Sequence, residues 1–120
     1  MAGTVTASKT DPRRGQPIGR VDFTWTSDGS GNANGTTASI NGTILRVATN
    51  PSTAAPTDNY DIVINDEDGI DVMAAALANR STSASQQVIP DPGAALAGTI
   101  EPQVSNAGAS KGGVISVYYR

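Results

Sequence analysis

Residues 18–27 read IGRVDFTWTS. Val21, Phe23 and Trp25 alternate with Asp22, Thr24 and Thr26. Successive side chains of a β-strand point to opposite faces, so this run predicts a strand with an apolar core face and a polar outer face. The turn formers SDGSGNANG follow at once and close it. Two further runs repeat the pattern. NYDIVIND (59–66) sets Tyr60, Ile62 and Ile64 against Asp61 and Val63, and DEDG ends it as a turn. GVISVYYR (113–120) sets Ile115, Val117 and Tyr119 on one face and Tyr118 on the other.

The intervening segments are less regular. TTASINGTILRVATN (36–50) holds Asn41-Gly42 between Ile40 and Ile44, which reads either as a hairpin turn or as a bulge inside one strand. Ile44, Leu45 and Val47 are expected in the core and Arg46 outside. VMAAALANR (72–80) reads either as one or two helical turns or as a strand running into a loop, because it is too short for a self-sustaining helix. A short strand is expected at Gln87–Ile89, stopped by Pro90 and Pro92. Another carries Ile100 and Val104, with Pro102 marking a sheet edge or bulge.

About seven or eight short strands separated by turn clusters predict an all-β fold, an antiparallel β-sandwich or barrel of jelly-roll or immunoglobulin-like type. Residues 18–120 form this single domain in our reading. Residues 1–17, broken by Pro12, Gly15 and Pro17, form an extended basic N-terminal arm.

The chain has 120 residues, enough for one core. It lacks cysteine and histidine, which excludes disulfides, Ser-His-Asp and Cys-His nucleophilic machinery, and His-ligated metals. Only 16% of residues are charged, below the roughly 25% of ordinary soluble domains. That balance suits a protein bound within an assembly, though a surface or secreted β-domain fits it too. No apolar run is long enough to span a membrane, and no secretory h-region opens the sequence.

Charge is segregated. Residues 1–20 hold Lys9, Arg13, Arg14 and Arg20 against Asp11 alone, while residues 21–120 hold four basic groups against ten acidic ones. The basic groups form no patch with interleaved aromatics, so nucleic acid is not an expected partner. Asp66-Glu67-Asp68-Gly69-Ile70-Asp71 is the densest acidic run, yet with Gly69 at the EF-hand glycine position Ile64 falls where the first carboxylate belongs. A solvated turn is the simpler reading, and no metal or other cofactor is expected. Ser30 sits in no nucleophile-elbow context, and no Lys-Ser or Lys-Thr follows the glycines as a phosphate loop requires. Paired carboxylates could serve glycoside hydrolysis, but the few aromatics leave no sugar platform. We expect no enzyme.

The runs FTWTSDGSGNANG, TDNYDIVINDEDGIDV, ANRSTS and VSNAGASKGGVISVYYR resemble small structural proteins of tailed-bacteriophage virions over most of residues 19–120. The resemblance implies a non-enzymatic, β-rich virion component made in the host cytoplasm. The expected role is capsid decoration (cement): a homotrimer on the outer head surface that clamps the major capsid protein. A head–tail or tail-tip component and a carbohydrate- or receptor-binding β-sandwich are the alternatives. Candidate partner-binding residues are Lys9, Arg13 and Arg14 on the arm, together with Tyr118 and Arg120 at the final strand.

Overall fold

The computed structural model describes residues 3–11, 14–15, 17–90 and 94–120. Among these lie seven strands: β1 (Thr4–Thr10), β2 (Gly19–Thr26), β3 (Ala38–Pro51), β4 (Asp61–Asn65), β5 (Gln86–Val88), β6 (Ala94–Ser105) and β7 (Gly112–Tyr119). The chain is an all-β antiparallel sandwich, with no α-helix among the described residues. The strand order is β1-β2-β7-β3-β6-β4, and β5 pairs with β3. The long strand β6 serves two partners. Its first part lies on β3 as far as Ile100, and Glu101–Ser105 lies on β4. Pro102, which has no N–H for a ladder, follows directly on this change of partner.

The alternating runs form the core as their patterns require. Val21, Phe23 and Trp25 from β2, Ile62 and Ile64 from β4, and Ile115, Val117 and Tyr119 from β7 are all buried, with Tyr60 beside them. Trp25 and Tyr60 pack as tilted rings 5.6 Å apart. Opposite Trp25 on β7 stands Gly113. A Cβ there would lie 3.1 Å from the indole and 2.7 Å from the Asn50 carbonyl oxygen. The missing side chain is the space that the indole occupies.

β3 resolves the Asn41-Gly42 ambiguity differently from either expectation. Residues 38–51 are one strand, and the register shift lies between Ile44 and Arg46. Ile44 pairs with Tyr119 and Arg46 with Tyr118, leaving Leu45 as the extra residue. One inserted residue reverses side-chain parity. Ile40 and Ile44 therefore face the core before the bulge, and Val47 and Thr49 face it afterwards. Leu45 is only half-buried, contrary to its expected core position. Gly42 instead meets the C-terminal backbone. Its φ is 138°, and the Arg120 carbonyl fills the place of its side chain.

Two other expectations need correction. Thr4–Thr10, expected within the extended arm, is an edge strand paired along its length with β2, so the folded domain begins before residue 18. The alternation of Val5 and Ala7 with threonine and serine explains it: Val5 is buried and Ala7 packs against the core. The 72–80 segment is not helical. It is a series of turns with Ala74 and Ala75 at positive φ, 51° and 65°. Composition gives no sign of this, since alanine favours helices and avoids the left-handed region. Met73 and Leu77 are buried beneath it, and its backbone covers the outer side of β4 through Val72 N–H to Ile64 O (2.8 Å) and Ile62 N–H to Leu77 O (3.1 Å).

Gly113→Ala is expected to destabilise the fold by about 1–3 kcal/mol through overpacking against Trp25. The urea midpoint and the Trp25 emission maximum check this: both should shift, whereas Gly29→Ala, in open space, should leave both near wild type.

Candidate functional site

The inner face of the sheet is mainly apolar, with Thr49 among its buried residues, and its outer face carries charged groups. Registry places Arg20 opposite Tyr118 and Tyr118 opposite Arg46. The next row reads Asp22, Ser116, Ala48 and Gln87 across β2, β7, β3 and β5. The third reads Thr24, Val114 and Asn50. Most of these side chains are small, so Tyr118 and its flanking arginines dominate the face.

The Arg46 guanidinium carbon lies 4.1 Å from the Tyr118 ring centroid, and that of Arg20 lies 5.4 Å away. Cations are attracted to the negative face of an aromatic ring, and stacking restricts both side chains. Arg20 also donates from Nε to Asp22 Oδ1 at 2.8 Å, and Ser116 Oγ donates to the same oxygen at 2.6 Å. The hydrogen bond to Asp22 raises the affinity of Arg20 for its proton. Arg46 differs: its one side-chain hydrogen bond among the described residues runs from Nη1 to Gln87 Oε1, at 3.4 Å. Beside it a groove of about 280 Å³ is lined by Arg46, Ala48, Ser85, Gln86 and Gln87.

The candidate residues read from sequence separate in the structure. Tyr118 faces outward, as its parity requires. Arg120 is exposed at its side chain, while its backbone exchanges hydrogen bonds with Thr43 at 2.9 and 3.0 Å. Arg14 is exposed in a turn, and Arg13 lies outside the described residues. Lys9, a candidate partner-binding residue, has its polar neighbours on its own chain. It sits opposite Val21 on the core-facing side of β1, donates to the Ser39 carbonyl at 2.9 Å and pairs with Asp11 at 3.1 Å. An inward-pointing lysine on an edge strand also discourages edge-to-edge aggregation. Arg20 and Arg46 were not singled out from sequence. Their outward parity was legible, but their meeting across Tyr118 depends on strand pairing.

Asp11 ties Lys9 to the last strand. Tyr119 donates its hydroxyl to Asp11 Oδ1 at 2.7 Å. That bond, with the neighbouring Lys9, holds the Asp11 carboxyl below its ordinary value. Burial, reinforced by Asp11, pushes the Tyr119 phenol up to about 12.

The acidic run at 66–71 is organised around backbone amides. Asp66 Oδ1 accepts from Asp68 and Ile70 at 2.9 and 3.0 Å. Asp71 accepts from Ile64, Met73 and Ala75. Glu67 accepts from Thr99 across on β6. Among the described residues no group of three or more acidic, histidine or cysteine side chains is placed to hold a metal ion.

No family model matches the chain, and no curated protein matches it. Among solved structures, a cupin domain from Bordetella pertussis is similar at 9% identity and a TM-score of 0.42, over 100% of this chain and 97% of that one. Nothing about binding or chemistry follows from a likeness so distant.

Two outcomes are expected here. Thermal unfolding with and without EDTA gives the same midpoint, because the turn carboxylates already hold N–H donors; a drop of about 5 °C or more would instead mark a bound cation worth roughly 1 kcal/mol. The clasp gives a pH signature. The raised phenol of Tyr119 stabilises the fold fully below the ordinary tyrosine value of about 10, and this is lost as pH rises toward about 12. The lowered carboxyl of Asp11 stabilises it above about pH 4, and this is lost on further acidification. Melting temperature against pH should fall at both ends. Tyr119→Phe should reduce the alkaline fall, leaving the part due to Tyr60, whose phenol burial also raises.

Proposed function

We propose that this chain is a structural component of a tailed-bacteriophage virion: a decoration protein that binds the outer surface of the head and stabilises it. The observation that carries the reading is the outer face of β2, β7 and β3, where Tyr118 lies between Arg20 and Arg46 among mostly small side chains. Tyrosine and arginine are enriched at interface hot spots, and stacking reduces the rotamer freedom they lose on docking. The sequence resemblance supplies the biological setting.

The mechanism is linkage. A protein that binds the assembled shell but not its separated subunits stabilises the shell by mass action. A trimer placing three such faces on neighbouring capsid subunits gains avidity from modest individual contacts. Attachment is assigned to the sheet face, because Lys9 is engaged within the fold and residues 4–10 belong to the sheet. The chain acts without catalysis in this reading.

The test is occupancy on heads that lack the native protein, with cryo-EM to locate the bound copies. Wild type is expected on the head lattice at on the order of hundreds of copies per particle, whereas about six or twelve at the tail axis would sink the decoration role. Tyr118→Ala combined with Arg46→Ala is expected to lower occupancy with an unchanged far-ultraviolet circular dichroism spectrum.

A further inference from the structure

Arg46 is the one arginine of the outer-face row with no carboxylate beside it among the described residues. Arg20, on the far side of Tyr118, is neutralised by Asp22 at 2.8 Å. Arg46 is half-buried, lies over the Tyr118 ring at 4.1 Å and borders the groove formed with Ala48, Ser85, Gln86 and Gln87. The guanidinium is a planar fork of five N–H donors, and among the described residues only one hydrogen bond engages them, at 3.4 Å to Gln87. A guanidinium held over a ring with most of its donors available is pre-organised for bidentate pairing with a carboxylate. Gln87 can add donors, since nothing among the described residues accepts from its amide nitrogen. Other polar groups of the groove are committed: Gln86 Oε1 accepts from Ser81 N–H at 2.8 Å, and the Ser85 hydroxyl donates to Asn50 Oδ1.

We propose that the Arg46–Gln87 groove is a carboxylate receptor whose occupant is an Asp- or Glu-bearing segment of a partner protein. This rests on the outer face being the docking surface. A guanidinium over the Tyr118 ring fills the aromatic face that a sugar ring would stack on, which favours a protein carboxylate over an acidic polysaccharide. Charge supports the same occupant. Residues 21–120 carry ten acidic groups against four basic ones, so an acidic segment is repelled by most of the body and directed to its few basic groups, of which Arg46 is the one that borders the groove. Arg46 fixes the segment by paired hydrogen bonds, and Tyr118 holds Arg46 in position.

The test is nuclear magnetic resonance titration of the full 15N-labelled chain with a short oligoglutamate peptide, with polygalacturonate and oligoglutamine as comparison probes. Oligoglutamate should give saturable shifts confined to Arg46 Nε, the Gln87 side-chain amide, Tyr118 and Ser85. Arg46→Lys keeps the charge but loses the planar fork, so it should weaken binding by about tenfold with an unchanged melting temperature. Shifts spread equally over Arg14, Lys111 and Arg120, with Arg46→Lys binding as wild type, would overturn the receptor. So would saturable binding of polygalacturonate without oligoglutamate, or binding of oligoglutamine at equal strength. Head occupancy is scored separately. Failure of the wild-type chain to bind oligoglutamate with intact occupancy rejects this inference alone, while binding without any head occupancy rejects the virion role alone.

Discussion

One extra residue in β3 governs both sides of this sheet. β3 is bonded to β7 along one edge and to β5 and β6 along the other, so its side chains cannot be reassigned without moving three neighbours. Without the bulge at Leu45, Leu45 would stand opposite Tyr118, and Arg46 opposite Val117 would point into the core. An unpaired buried guanidinium costs several kcal/mol, so the fold would not tolerate that register. With the bulge, Val47 and Thr49 complete the core and Arg46 emerges beside Tyr118. The same register defect closes the interior and builds the outer face.

The chain has few charges and uses several acidic ones as local scaffolding. Asp28 accepts from the amides of Asn32 and Ser30, which holds its carboxyl below the ordinary range. Asp66 and Asp71 organise the 65–77 turns in the same way. The loops after β2 and before β7 are joined: Ser27 donates to Gly108 O at 2.5 Å and accepts from Lys111 N–H at 2.9 Å. With so many carboxylates given to backbone amides, the acidic body keeps its net charge but offers few free groups. That leaves the arginine row as the chemically distinctive surface.

Much of the sandwich was readable because burial on one face imposes a period of two. VDFTW and YDIVI bury alternate residues, GVISVYY buries its alternate apolar residues with Ser116 buried between them, and the side of Tyr118 followed directly. Where the period breaks, the sequence is silent. Ile40, Ile44, Leu45 and Val47 give mixed parity that a turn, a bulge or a fully buried strand could equally produce. TVTASKT is mostly polar because only one of its faces is covered, and the proline and glycine after it read as part of an extended arm. The alanines at 74 and 75 take a conformation that their composition opposes, imposed by Asp71 and by the burial of Met73 and Leu77. The arginine pair was hidden for another reason: Arg20, Arg46 and Tyr118 are far apart in sequence and meet only through strand registry.

The last strand lies in the middle of the sheet. Gly112–Tyr119 fills the space between β2 and β3, so both of those strands are left with an open edge until those residues arrive. Such pairing across most of the chain length is entropically costly to initiate, which places folding in the slow regime of high-contact-order β proteins. During synthesis the growing chain would carry the unpaired edge of β2 and the apolar faces of Phe23 and Trp25 for seconds, since ribosomes add about 5–20 residues per second. Its vulnerability thus lies in biogenesis: loss of a few residues from the last strand would leave an aggregation-prone chain, whatever the strength of its remaining contacts.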